Sequence, residues 1–264
     1  MYPNQLPVMT EGTSLALKAS NVHKHFGGLT ALDDVSLSLV SGEVHGLIGP
    51  NGSGKTTMLN LLCGFYAPTS GQILLNSEDL TNSTIQKRAF LGIGRTFQKP
   101  RLLPSLSVLD NAMLGAWIHT RSGFIGSAIS LPQVNREELE LSNLSKEILW
   151  GVGLGTVLDR PAALLDHGQQ RFLEIARALV MQPKFLLLDE PAGGLTGKEI
   201  DMLKDLIKVI QSSGIGVLLV EHHTDFVFRI SDRVSTFNVG KMLKHGTPSE
   251  VRSDPEVIRV YLGA

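Results

Sequence analysis

Residues 49–57 read Gly-Pro-Asn-Gly-Ser-Gly-Lys-Thr-Thr, and the spelling follows from wrapping backbone around an anion. Gly49, Gly54, Lys55 and Thr56 fall at the defining positions of G-x-x-x-x-G-K-[ST]. Glycines let successive backbone N–H groups turn inward into a concave nest. A helix that starts there points the positive end of its dipole at the same spot. Lys55 adds a point charge for the β- and γ-phosphates, and the Thr56 hydroxyl is a ligand for Mg²⁺. The expected contacts to a bound nucleotide are Asn51, Gly52, Ser53, Gly54, Lys55, Thr56 and Thr57.

The flanks supply the context this loop requires. Val44-His45-Gly46-Leu47-Ile48 is short and mostly apolar, as a buried strand is. Thr57-Met58-Leu59-Asn60-Leu61-Leu62-Cys63 holds no breaker and suits a helix. Strand, glycine loop, helix is the arrangement of a phosphate-binding loop.

The composition is that of a globular protein: 264 residues, 42% hydrophobic, 19% charged, formal net charge −1. No broad basic field points to nucleic acid as a partner. The one cysteine, Cys63, excludes an internal disulfide and reads as a small buried apolar side chain. No run reaches 18 apolar residues, so no spanning helix is expected. Residues 1–13 are polar, with Pro3 and Pro7, and lack the basic-then-apolar pattern of a secretion signal. They read as a flexible leader, and the protein is expected in the cytoplasm unless a partner brings it to a membrane.

Short alternating runs between Leu15 and Leu75 predict strands at Leu15–Ala19, Val35–Val40 and Gln72–Leu75, punctuated by Gly27-Gly28 and Ser41-Gly42. From about Pro100 to Pro161 the texture becomes helical, with helices expected over Ser107–His119 and Arg136–Trp150. Ser122–Gln133, rich in Gly and Ser yet apolar, receives no assignment. Alternation then resumes: helices over Gly168–Val180, Lys198–Gln211, Thr224–Ile230 and Pro248–Arg252, strands over Phe185–Leu188, Gly216–Val220 and Val234–Asn238. Strands alternating with helices predict a largely parallel sheet.

Three later segments carry chemistry. Phe185-Leu186-Leu187-Leu188-Asp189-Glu190 is an apolar strand ending in two carboxylates. Asp189 stands where an acid would hold the Mg²⁺ shell, and Glu190 where a base would polarise an attacking water. Gly94-Arg95-Thr96-Phe97-Gln98 places a glutamine at the passage into the helical segment. Val220-Glu221-His222 places a histidine at the end of another apolar strand.

Together and in this order these segments resemble the ATP-binding subunit of ABC transporters, from Phe26 to Leu262. The resemblance implies an α/β fold: a P-loop NTPase core with a mostly parallel sheet, an antiparallel β subdomain and an inserted helical signature subdomain. Residues 14–99 and 168–264 would form the core with its β subdomain, and 100–167 the helical part. It makes Gln98 the Q-loop glutamine, Leu165-Asp166-His167-Gly168-Gln169-Gln170-Arg171 the signature, Asp189 the Walker B acid, Glu190 the catalytic base and His222 the switch histidine. It places Mg²⁺ at Thr56, Gln98 and Asp189, and gives adenine an aromatic platform at Phe26. ATP would lie between one chain's P-loop and another chain's Asp166, His167, Gly168 and Gln169. His25 to Leu32, Arg95-Thr96-Phe97-Gln98, Gly168 to Arg177 and the tail Gly246 to Gly263 resemble the branched-chain amino acid and amide uptake subfamily. That subfamily pairs two ATPase subunits with two membrane permease subunits and an external solute-binding protein, at the cytoplasmic face of the inner membrane.

Three positions depart from the family pattern. Asp166 stands in place of the signature serine. A carboxylate facing a γ-phosphate at ~4 Å would repel it by up to about 4 kcal/mol per charge pair at an effective dielectric of 20. The other reading is that Asp166 caps the signature helix and points aside, and at this level both stand. Gly194-Leu195-Thr196 lacks the aspartate that usually ends the D-loop. His223 replaces an aspartate common after the switch histidine.

A soluble ABC ATPase acting on ribosomes or DNA is the rival reading. Those proteins carry two cassettes or a long coiled coil, and neither is seen. A regulatory subunit that hydrolyses poorly fits badly with an intact Glu190. A GTPase would need N-K-x-D, and Asn238-Val239-Gly240-Lys241 does not fit.

Overall fold

The computed structural model describes residues 14–119, 132–222 and 224–262. The leader, His223 and most of the unassigned 122–133 stretch lie outside these residues. Strands β1 (Ala16–Phe26), β2 (Leu29–Val40), β4 (Ser70–Leu75) and β5 (Glu78–Asp79) form an antiparallel sheet in the order β2-β1-β4-β5. A second sheet has the order β10-β9-β3-β8-β7-β6. It comprises β3 (Val44–Ile48), β6 (Ile93–Arg95), β7 (Phe185–Asp189), β8 (Gly216–Val220), β9 (Arg233–Asn238) and β10 (Lys241–Gly246). From β9 to β6 every pairing is parallel, and β10 closes the edge antiparallel to β9.

The helices are α1 (Lys55–Cys63), α2 (Ile85–Phe90), α3 (Val108–Met113), α4 (Pro132–Gly151), α5 (His167–Val180), α6 (Gly197–Ser212), α7 (Thr224–Ile230), α8 (Pro248–Arg252) and α9 (Pro255–Leu262). The parallel sheet is buried on both faces, and its strand sequences show why. Successive side chains alternate faces. Val44, Ile48, Leu186, Leu188, Val217 and Leu219 enter one core with α5, α6 and α7. Leu47, Phe185, Leu187, Leu218 and Val220 enter another with α1 and the antiparallel sheet. Each fully buried Leu or Val contributes roughly 1.5–3 kcal/mol against the unfolded chain.

The parallel order sets where function gathers. The carboxyl ends of β3, β6, β7 and β8 run into Gly49, Thr96, Glu190 and Glu221, so segments far apart in sequence open at one edge. Ligands of open α/β sheets bind outside such ends.

Several elements differ from expectation. The strand starting at Leu15 does not stop at Ala19. It continues to Phe26 through an irregularity at Asn21, whose φ is 45°. The helix expected over Ser107–His119 is capped by Ser107 and tightens to a 3₁₀ helix over Leu114–His119. Close packing accompanies this: a Cβ on Gly115 would lie 1.9 Å from the Arg177 carbonyl oxygen. β6, β10, α2 and α9 were not expected as elements. β10 reads Lys-Met-Leu-Lys-His-Gly, a charged and partly exposed edge with little alternation.

Candidate nucleotide site

The loop after β3 is shaped by contacts that leave no room for side chains. A Cβ on Gly49 would lie 2.5 Å from both the Phe237 carbonyl oxygen and Ser53 Oγ. Gly54 caps α1 with φ 106°, and a Cβ there would lie 2.8 Å from the Ala31 carbonyl oxygen. Helix α1 carries no acidic residue in its first turn, so no acid of its own offsets its positive end. Lys55 is buried, with Nζ donating to the carbonyls of Gly49 at 2.7 Å and Pro50 at 3.0 Å. Burial lowers its pKa, opposed by the charges of Glu190 and Asp189.

The far end of α1 is held by Arg88 of α2. This fully buried side chain donates to the carbonyls of Leu61, Leu62, Leu80 and Thr81, and Nε donates to Ser83 Oγ at 2.9 Å. A cation thus sits at the negative end of the helix and satisfies its orphan carbonyls. Gly64 ends α1 in the left-handed region at φ 82°, where a Cβ would press on the Arg88 side chain.

Asp189 ends β7. Its Oδ2 accepts from Arg95 Nη2 at 2.9 Å, and Arg95 Nη1 donates to Asn60 Oδ1 at 2.5 Å. The guanidinium lies 5.5 and 5.2 Å from the ring centroids of Phe65 and Phe97. Burial pushes the Asp189 pKa up, and Arg95 opposes it. Glu190 follows with φ 48°, a conformation costly for a side chain bearing a Cβ and found where function over-determines the backbone. Its Oε2 accepts from Gln98 Nε2 at 2.7 Å, and its Oε1 lies 3.8 Å from His222 Nδ1. The three residues expected to act on the γ-phosphate therefore meet. Behind them the buried Glu221 accepts the Ala192 N–H at 2.7 Å, tying the segment after Glu190 to the end of β8.

Phe26, at the tip of β1, is 40% exposed and meets Tyr66 edge-on at 5.2 Å. Lys24 Nζ lies 4.9 Å from the Phe26 ring centroid and 5.5 Å from that of Tyr66. The signature residues stand elsewhere. Asp166 is the N-cap of α5: its Oδ1 accepts the Gln169 N–H at 2.8 Å, and the Gln169 side chain accepts the Asp166 N–H. The capping reading of Asp166 is the geometry observed. A Cβ on Gly168 would lie 1.9 Å from Glu199 Oε1, and one on Gly194 would lie 2.9 Å from the His167 ring. Among the described residues, no hydrogen bond or ion pair of Asp166–Gln169 reaches Gly49–Thr57. Thr196, at the missing D-loop aspartate, caps α6 in a reciprocal box with Glu199.

Sequence reasoning missed Arg95, Asn60, Tyr66 and Glu174, and read Arg171 only as the last residue of the signature. Arg95 stood inside a quoted segment, and a charge on a strand otherwise buried was the available sign. Tyr66 sits past the glycine that ends α1, where nothing local marks it.

A glycine-wrapped anion cradle at the carboxyl edge of a parallel sheet, with its lysine facing two strand-end carboxylates, defines a nucleoside-triphosphate-binding P-loop protein. The family model described as ABC transporter matches residues 32–193, and the chain belongs to that family: it is an ATP-binding, ATP-hydrolysing cassette. A second model, branched-chain amino acid ATP-binding cassette transporter, matches residues 245–264. The chain is 40% identical to the high-affinity branched-chain amino acid transport ATP-binding proteins BraF of Pseudomonas aeruginosa and LivG of Escherichia coli K12. Each alignment covers 94% of this chain and 97% of the relative. It is 34% identical to the lipopolysaccharide export ATP-binding protein LptB of Acidithiobacillus ferridurans, over 94% and 96%. Among solved structures, an ABC transporter cassette in its ADP conformation superposes with TM-score 0.82 at 32% identity, covering 95% of this chain and 99% of that one. A dimeric bacterial ABC transporter cassette gives TM-score 0.74 at 26% identity, covering 88% and 98%.

Proposed function

We propose that this chain is the ATPase subunit of an importer for branched-chain amino acids or related small polar solutes, working at the cytoplasmic face of the inner membrane. Full-length similarity alone does not choose the cargo, since an export protein also aligns over nearly the whole chain. The observation that carries the reading is the tail, where residues 245–264 match the branched-chain model. No helix among the described residues is long and apolar enough to cross a membrane, so two permease subunits would supply the path. A second ATPase subunit, either a different chain or a second copy, would complete each nucleotide site. An external binding protein would deliver solute indirectly, and nucleic acid has no place in this account.

In this reading ATP stacks its base on Phe26, lays its phosphates in the nest from Asn51 to Thr57, and is held by Lys55. The γ-phosphate faces Glu190, which takes the proton of the attacking water. Gln98 and His222 orient that carboxylate and the water. The partner's signature helix closes the site with its N-terminal N–H groups, as Asp166 to Gln169 of this chain would for the partner's ATP. Thr56, Gln98 and Asp189 offer hydroxyl, amide and carboxylate oxygen, the hard donors Mg²⁺ takes together with substrate phosphates. Among the described residues there is no cluster of three or more His, Cys, Asp or Glu that would suit a softer metal. When bound, Mg²⁺ would neutralise charge on the transferring phosphate. Division into a core (14–99, 168–264) and a helical part (100–167) belongs to the same reading.

Affinity purification from native membranes tests it. Two integral membrane subunits should copurify, and ATP turnover should rise when leucine-loaded binding protein is added to the complex in vesicles. Turnover indifferent to loaded binding protein, or a cytosolic ribonucleoprotein as the copurifying partner, would overturn it.

A further inference from the structure

Two charged side chains in the middle of α5, Arg171 and Glu174, are only 3% and 1% exposed. Burying a charge costs several kcal/mol unless it is paired and hydrogen-bonded, so their partners are informative. Those partners are one short stretch of backbone. Arg171 Nη1 donates to the Phe97 carbonyl and Nη2 to the Gln98 carbonyl, both at 2.9 Å. Glu174 Oε1 accepts the Phe97 N–H at 3.0 Å. Arg171 Nη1 also lies 3.7 Å from Glu174 Oε2, so the two charges offset each other.

This stretch is where chain 93–98 leaves the sheet. The Thr96 N–H still reaches the Leu187 carbonyl at 3.0 Å, beyond the last paired residue Arg95. Past that point the part-buried backbone of Phe97 and Gln98 takes other partners, and a planar guanidinium fork fits two successive carbonyls. Gln98, whose carbonyl takes one prong, directs its side-chain amide to Glu190 at 2.7 Å.

We propose that Arg171 and Glu174 are positioning residues for ATP hydrolysis. They fix the main chain at Phe97–Gln98 so that the Gln98 amide meets Glu190. They also bind that contact to the helix whose first turn is Asp166 to Gln169. The proposal rests on the reading that Gln98 and Glu190 serve hydrolysis. Neither residue touches substrate; both act through Gln98. A misplacement of about 1 Å at a reacting group costs up to about a hundredfold in rate.

The test is a double-mutant cycle in the assembled transporter, reading kcat and KM for ATP together with the melting temperature. Glu174→Leu and Arg171→Lys should each lower kcat about tenfold or more, with KM within about twofold. Arg171→Lys keeps the positive charge opposite Glu174 but cannot bridge both carbonyls, so it reads the fork rather than the fold. Glu174→Gln, which still accepts the Phe97 N–H, should recover most of the kcat lost in Glu174→Leu. In a Gln98→Ala background the same substitutions should lower kcat no further, because the group they position is gone. Equal losses of kcat in both backgrounds, or no loss in Arg171→Lys, would overturn the proposal alone. Unchanged turnover in Gln98→Ala by itself would overturn the role of Gln98 and the proposal with it.

Discussion

Gln98 Nε2 donates a 2.7 Å hydrogen bond to Oε2 of Glu190, 92 residues further along the chain. Adjacent parallel strands explain the meeting: β6 pairs with β7, and each residue follows its strand's carboxyl end. The donor leaves Glu190 poised with one oxygen tied and the other 3.8 Å from His222 Nδ1. Replacing the donor by an acid tests the contact. Gln98→Glu puts a second carboxylate beside Glu190, and two such groups at contact distance resist joint ionisation. The acidic limb of the pH–kcat profile should therefore move up by about one unit or more relative to wild type. An unmoved limb would show that the two side chains are apart during turnover.

Arg88 is the clearest stability determinant outside the two cores. Arg88→Met keeps length and apolar stem but leaves the Leu62 carbonyl without its donor, while Leu61 and Leu80 keep the N–H groups of Gly64 and Ser83. A buried unsatisfied group costs about 1–3 kcal/mol, so denaturant unfolding should show a loss of about 1–3 kcal/mol. Nucleotide affinity should fall too, because α1 presents the P-loop.

Asp166 separates capping from electrostatics. Asp166→Ala removes the acceptor for the Gln169 N–H and should cost about 1 kcal/mol of stability, whereas Asp166→Ser keeps a cap and should cost little. If the capping carboxylate also weakens the site it faces, Asp166→Ser in the full complex should raise turnover or nucleotide occupancy at the partner's P-loop. No change in either would leave Asp166 with a structural role only.

His45, on the P-loop strand, makes stability depend on pH. The ring is fully buried, between the Ser38 carbonyl at 3.1 Å and Ser235 Oγ at 2.9 Å. Burial first, then the nearby His245 and Arg233, lowers its pKa from 6.5 to about 3. Below about pH 6.5 the unfolded chain takes a proton that the folded chain refuses, so stability falls on acidification through that window. Melting temperatures should decline from about pH 6.5 to about pH 4, and His45→Gln should flatten that slope. Parallel declines in both proteins would place the acid sensitivity elsewhere.

The parallel sheet and the P-loop were legible because their chemistry is local. Apolar runs of strand length and glycines at fixed offsets announce Val44–Ile48, Phe185–Leu188 and Gly216–Val220 without knowledge of neighbours. The antiparallel sheet was half legible: the mostly apolar Leu15–Ala19 reads as a strand, but its polar continuation through Asn21 to Phe26 does not. Edge strand β10 was invisible because an exposed edge is written in lysines. The buried contacts of Arg88, Arg171 and Glu174 were missed for one reason. A charge on a short or amphipathic helix reads as solvated, and only the tertiary path of backbone carbonyls and N–H groups past it makes burial favourable. The meaning of Asp166 also needed three dimensions, since the same residue type serves as a cap or as a repulsive charge depending on where its carboxylate turns.

In the proposed function, hydrolysis at this chain's own P-loop, through Glu190, drives uptake. The direct measurement is leucine uptake and ATP turnover in vesicles holding the complete transporter, with wild-type protein and with Glu190→Gln in this chain alone. The expected result is a fall in turnover of about a hundredfold or more, with uptake lost and ATP binding retained. Uptake that continues at the wild-type rate in the Glu190→Gln complex would contradict the account.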